Sequence, residues 1–69
     1  MIRLEIERRR ADLRQAALGR ECRPPVNPAT ISAIEHGRIN PSASELARLA
    51  EALGFDGDPA TLTEEVQVP

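Results

Sequence analysis

The residues best suited to covalent chemistry are a single cysteine and a single histidine, too few for an enzyme site. Cys22 and His36 are the only thiol and imidazole among 69 residues. Cys22 falls on the inner face of a predicted helix, where a small buried thiol is expected. His36 falls near a helix C-terminus, where a capping role outweighs a catalytic one. With no glycine-rich phosphate loop and no full zinc ligand set, we expect no enzyme activity, metal, cofactor or small-molecule ligand.

A short helix predicted over residues 28–36 is more informative. Asn27 is a favourable N-cap residue, and Gly37 suits a left-handed helix end. Ile31 and Ile34 mark the inner face of this helix. The outer face is then built from small or hydroxyl-bearing residues: Pro28, Ala29, Ser32 and Ala33, with Thr30 and Glu35 on the flanks. Such a face fits a DNA major groove about 12 Å wide, although a surface helix without a partner is an equal alternative.

Helical patterns cover most of the chain, and no segment shows the sustained alternation of a strand. Caps and apolar spacing predict helices over 2–11, 14–22, 28–36 and 43–53, with a short fifth at 59–63. On the first helix, Ile2, Ile6 and Leu13 fall on roughly one stripe and Leu4 lies off it, so the sequence leaves open which side of this helix faces inward. The fourth helix starts with the capping-box pattern of Ser42 and Glu45. Residues 63–69 show no pattern and are expected to fray.

Charge is divided unevenly along the chain. The net charge of -2 argues against nucleic acid, but residues 1–40 hold eight arginines against five acidic residues, and residues 41–69 hold one arginine against six. The three consecutive arginines at 8–10 fit either a phosphate clamp or a solvated helix face paired with Glu5 and Glu7.

No apolar run approaches the roughly 18 residues of a membrane span, and the N-terminus has no signal-peptide pattern. We therefore expect a cytoplasmic protein with no membrane partner.

The chain resembles the Cro and phage-repressor (XRE-like) helix-turn-helix family. The matching stretches are Leu13-Arg14-Gln15, Leu18-Gly19, Val26-Asn27, Ile31 to Arg38, Asn40-Pro41-Ser42 and Leu46 to Gly54. The resemblance implies an all-α fold, a compact four- to five-helix domain similar to that of lambda repressor. It places the DNA-binding domain at 1–55, and leaves 56–69 as a short turn and acidic tail. The implied function is a sequence-specific transcription regulator of a phage, plasmid or bacterial chromosome that binds double-stranded DNA.

By motif position, the resemblance makes 28–36 the recognition helix. The DNA-binding residues it implies are Gln15, Asn27, Pro28, Ala29, Thr30, Ser32, Ala33, Arg38 and Asn40. Gln15 would touch the DNA backbone or brace the recognition helix, and Arg38 and Asn40 fall where the family contacts phosphates. Glu35 is expected to serve local structure or pairing. The turn Arg23-Pro24-Pro25 makes the loop about two residues longer than usual, which leaves the angle between the two helices open.

The recognition helix carries no arginine for guanine and no amide side chain for adenine. Ala29, Ala33 and the ring of Pro28 would meet thymine methyl groups, so we expect weak direct readout. A protein-interaction module of the same fold, such as an antitoxin or an assembly adaptor, is the alternative that the acidic second half supports.

A homodimer is expected, because one small domain touches only a few base pairs and family operators pair two half-sites. Whether it forms before or only on DNA is left open. Phe55, Leu62, Val66 and Val68 are left over after the core is assigned. We place the contact around Phe55 to Leu62, with closure of the monomer core by these two residues as an equal alternative.

Overall fold

The computed structural model describes residues 1–67 and contains four α-helices and a terminal 3-10 helix. The helices are α1 (Arg3–Arg10), α2 (Gln15–Glu21), α3 (Pro28–Glu35) and α4 (Ala43–Leu53), and the 3-10 helix is Pro59–Thr63. Across residues 1–67 the only bridge outside these elements pairs Ile2 with Glu65. The all-α prediction is confirmed, and each observed helix boundary lies within one residue of its expected position.

Two helices begin with matching four-residue caps that differ only in the capping residue, Asn27-Pro28-Ala29-Thr30 at α3 and Asp58-Pro59-Ala60-Thr61 at the 3-10 helix. The Oδ1 atom of Asn27 accepts a hydrogen bond from the backbone N of Ala29 at 2.8 Å, and Oδ1 of Asp58 accepts one from Ala60 at 3.0 Å. Each proline occupies the first helical position, where no backbone donor is needed. The second cap therefore provides a structural match for the first, away from α3.

The fourth helix begins with the expected capping box. The backbone N of Ser42 donates to Glu45 Oε1 at 2.9 Å, and the backbone N of Glu45 donates to Ser42 Oγ at 3.1 Å. Two otherwise unpaired donors at the helix start are thereby satisfied.

Helices α1, α3 and α4 each end at a residue in the left-handed region, with φ of 57° at Asp12, 71° at Gly37 and 65° at Gly54. After α1, the backbone N of Asp12 donates to the Arg9 carbonyl at 3.0 Å and that of Leu13 donates to the Arg8 carbonyl at 3.1 Å. The same Schellman pattern recurs at Gly37 and Gly54. Of these three helix ends, only that of α1 has a residue with a side chain in the left-handed position.

The core is aliphatic and draws on every helix. Its buried apolar residues are Leu4, Leu18, Cys22, Val26, Ile31, Ile34, Leu46, Leu49, Ala50 and Leu62. On α1, where the sequence left the register open, the off-stripe residue Leu4 is fully buried, whereas Ile2, Ile6 and Leu13 are only partly buried. The reason is that α1 packs against the 3-10 helix, a neighbour from the far end of the chain that periodicity within α1 does not reveal.

The expectation that residues 63–69 fray is wrong for residues 63–66. The backbone N of Arg3 donates to the Glu64 carbonyl and that of Val66 donates to the Met1 carbonyl, both at 2.9 Å. The N-terminal ammonium forms an ion pair with the Glu65 carboxylate. Residues 1–3 and 64–66 are therefore joined beside α1, while Val68 and Pro69 lie outside the described residues.

Leu62 lies fully inside the monomer core, and Phe55 is partly buried against it. The structure thus supports closure of the core by these two residues, and Leu62 is unavailable for the dimer contact placed around Phe55 to Leu62. No helix within 1–67 combines the length and apolar character required to cross a membrane.

Candidate nucleic-acid interface

The turn between α2 and α3 folds tightly back onto α2 at Gly19. The backbone N of Val26 donates to the Gly19 carbonyl at 3.0 Å. A Cβ atom placed at Gly19 would lie 2.1 Å from the Val26 carbonyl oxygen, far inside van der Waals contact. Glycine is therefore required here, and the longer loop is accommodated by this close approach of two backbones.

Cys22 ends α2 as a buried core residue. Its Sγ atom donates to the Leu18 carbonyl at 3.4 Å. Burial raises the pKa of the Cys22 thiol, with a smaller opposing effect from the Arg48 charge. The thiol consequently stays protonated at neutral pH and unreactive while the protein is folded, in agreement with the structural role predicted for it.

The outer face of α3 is formed by residues that lie opposite its two buried isoleucines. Pro28 and Ala29 are exposed, while Thr30, Ser32 and Ala33 are half-buried. At about 3.6 residues per turn, residues 29, 32, 33 and 36 share one side of the helix. The structure therefore brings the predicted reading residues together on one accessible surface, and their contact with DNA stays a prediction.

The segment after α3 continues this surface. His36 Nδ1 lies 2.8 Å from the Ser32 carbonyl oxygen, and because a carbonyl only accepts, Nδ1 carries the hydrogen. Arg38 and Asn40 are both exposed in the loop that leads to α4. Between them, Ile39 is 43 % exposed, one of the two large apolar residues exposed among the described residues.

Glu35, the only charged residue of α3, points away from this surface into the protein. Its side chain is 2 % exposed and forms an ion pair with Arg8 of α1. Arg8 Nε donates to Glu35 Oε2 at 2.7 Å, and Arg8 Nη2 donates to Oε1 at 3.1 Å. Gln15 Nε2 of α2 donates to the same Oε1 at 3.0 Å. One buried carboxylate thus joins α1, α2 and α3.

The contacts among Arg8, Gln15 and Glu35 bear on what the sequence led us to expect of these three residues. Glu35 does not flank the exposed face, but it does serve pairing, as expected from the resemblance. Gln15 braces α3 through its hydrogen bond to Glu35, in line with one of the two roles considered for it; DNA recognition by α3 and contact between Gln15 and the DNA backbone stay predictions. The part played by Arg8 was missed. It lies one turn after Leu4 on the same side of α1, and the open register of that helix gave no sign that this side faces inward.

The other two consecutive arginines have a different role. Arg9 pairs with Glu5 at 2.6 Å and Arg10 pairs with Glu7 at 3.2 Å, both on the solvated side of α1. Exposed pairs of this kind are worth little to stability. The arginine run is therefore one partly buried residue that pairs with Glu35, followed by two on a paired, solvated face.

Within residues 1–67 no three His, Cys, Asp or Glu side chains are grouped as metal ligands would be. The accessible groups of the site are the small side chains of α3 and the polar loop after it. Two short helices joined by a tight turn, with the second exposing a face while α1 and α2 hold it from behind, define the helix-turn-helix class.

A family model described as a helix-turn-helix domain matches residues 2–62, and the chain belongs to that family. The match confirms the resemblance seen in the sequence. It ends at Leu62, the last buried residue of the core, so the 3-10 helix is part of the matched domain. No curated protein and no solved structure matches the chain.

Proposed function

We propose that this protein is a sequence-specific transcription regulator that binds double-stranded DNA with α3 in the major groove. The observation that carries the proposal is the inward turn of Glu35. It removes the only negative side chain of α3 from the surface and ties the helix to α1 and α2. A rigid helix whose outer face carries no carboxylate can approach the phosphate-lined groove without charge repulsion.

The roles proposed for the site residues follow from their positions. Ala29, Ser32 and Ala33 face the base edges, with Pro28 and Thr30 beside them at the start of the helix. Arg38 and Asn40, exposed after α3, contact phosphates on the DNA backbone. Asn27 caps the helix through its Oδ1 atom and retains its amide N–H groups for a phosphate.

The proposed regulator acts as a homodimer on two half-sites about one DNA turn apart, because a single recognition helix spans few base pairs. Since Leu62 is buried, the contact between subunits has to use another surface. One subunit per enriched site, measured by sedimentation of the complex, would contradict the dimer.

Selection from a random duplex library at low salt tests the proposal. We expect an enriched site, and a steep loss of affinity as salt rises because phosphate contacts release counterions. With one Arg38–phosphate contact in each subunit of the dimer, two in all, the loss is roughly tenfold between about 50 and 200 mM salt. Absence of any enriched site would favour the alternative class, a protein-interaction module with this fold, which the acidic residues of 41–69 support.

A matched pair of variants tests the assigned surface. Ala29→Glu places a carboxylate on the outer face of α3, and we expect it to weaken DNA binding about tenfold or more through repulsion from phosphates. Ala60→Glu makes the same change at the same position of the duplicated cap on the 3-10 helix. Both alanines are exposed, so neither change disrupts the core. Equal effects of the two variants would show that α3 is not the DNA-contacting surface.

A further inference from the structure

The outward face of α3 offers few groups able to distinguish bases by hydrogen bonding. Ala29 and Ala33 lie at its centre and present only methyl groups. Glu35 is held inside the protein, and His36 already donates its Nδ1 hydrogen to a backbone carbonyl. The segment Pro28–Glu35 contains no arginine, lysine, asparagine or glutamine.

The hydroxyl groups on this face do not replace those side chains. Thr30 and Ser32 can each donate or accept a hydrogen bond, so they tolerate either kind of base edge. Asn27, at the end of the helix, uses its Oδ1 atom to cap Ala29 and no longer has both amide groups free for adenine. Direct discrimination between bases by the outer face of α3 is therefore left to an apolar feature of the groove.

The apolar feature that the major groove provides is the C5-methyl group of thymine. 5-Methylcytosine carries the same methyl group at the same ring position, whereas cytosine and uracil lack it. We propose that Ala29 and Ala33 read pyrimidine C5-methyl groups, so that α3 accepts thymine and 5-methylcytosine alike and disfavours unmethylated cytosine. Cytosine methylation within the operator then strengthens binding.

This inference rests on the proposed function. The site itself comes from the helix-turn-helix architecture and the family match, and the inference concerns only what that site distinguishes. Its physical basis is apolar burial: a methyl group removed from water between two alanines favours binding, whereas a C5 hydrogen leaves a gap there.

The test uses the duplex enriched by selection, remade with one pyrimidine changed at a time. At each position that faces α3, affinity is measured with thymine, uracil, 5-methylcytosine and cytosine, each paired with its complement. We expect loss of one contacted methyl group to weaken binding about fourfold, both from thymine to uracil and from 5-methylcytosine to cytosine. Thymine and 5-methylcytosine should give similar affinities.

Two results overturn the inference while the proposed function stands. One is an enriched site at which uracil binds as well as thymine at every position. The other is 5-methylcytosine binding no better than cytosine, which would mean that the hydrogen-bonding edge is read. If no site is enriched, the proposed function fails and this inference fails with it.

Glycine variants identify the residues responsible. The ratio of thymine to uracil affinity should fall towards one in Ala29→Gly or Ala33→Gly and stay unchanged in the matched control Ala60→Gly. Because each ratio is taken within one protein, a change in folding stability or in phosphate contacts does not alter it. An unchanged ratio in both α3 variants would remove these alanines from the readout.

Discussion

Replacing Arg8 with methionine should destabilise the protein far more than its place in an arginine-rich run suggests. The change leaves the Glu35 carboxylate buried, with its side chain 2 % exposed, and only Gln15 to donate to it. Removing one member of a buried ion pair costs about 3 kcal/mol or more. A chain of 69 residues has a total stability of about 3 to 10 kcal/mol. We therefore expect Tm to fall by about 12 to 24 °C.

Urea unfolding followed by far-ultraviolet circular dichroism measures this loss. The matched control is Arg9→Met, which removes an exposed pair with Glu5 and should cost less than about 0.5 kcal/mol. The double variant Arg8→Met/Glu35→Leu should recover much of the lost stability, because it removes the unpaired buried charge. The reasoning is refuted if Arg8→Met is as stable as the control, or if the double variant is as unstable as the sum of both single changes.

The same pair predicts a simple pH dependence. Hydrogen bonds to Glu35 raise the pKa of the Arg8 guanidinium, and the opposing effect of burial is smaller. A cation whose pKa is higher in the folded state contributes its full stabilisation below the unfolded value. The contribution from Arg8 should therefore persist through neutral and mildly alkaline pH and disappear only in strong alkali, as unfolding curves at increasing pH would show.

Four further predictions follow from local geometry. Gly19→Ala should destabilise by about 2 kcal/mol despite its better helix propensity, because the new Cβ meets the Val26 carbonyl; a more stable variant in urea unfolding would contradict the close approach. Asp12→Gly should stabilise by about 1 kcal/mol by relieving a left-handed residue, and a lower Tm would refute this. Burial raises the pKa of Cys22, so stability should decline above about pH 8.5 relative to Cys22→Ala, and parallel pH profiles would argue against it. Leu62→Ala should cost about 3 kcal/mol, and a loss below about 1 kcal/mol would remove Leu62 from the core.

Local signals in the sequence were sufficient for the helices. The cap at Asn27, the capping box of Ser42 and Glu45, and the left-handed ends at Gly37 and Gly54 all depend on residues within one or two turns of each other. Such short-range hydrogen bonds and backbone preferences are encoded in adjacent residues, so helix boundaries could be predicted closely. The small outer face of α3 followed from the spacing of its isoleucines in the same way.

Only the tertiary structure decided which side of α1 faces inward and how α3 is held. Leu4 is buried because residues 59–63, from the other end of the chain, pack on that side. The same orientation turns Arg8 towards Glu35, 27 residues away, and separates it from Arg9 and Arg10. Adjacent arginines cannot be told apart in the sequence. Their roles differ because long-range packing determines which side chain is removed from solvent. Burial is a property of the assembled core, so no pattern within α1 could specify it.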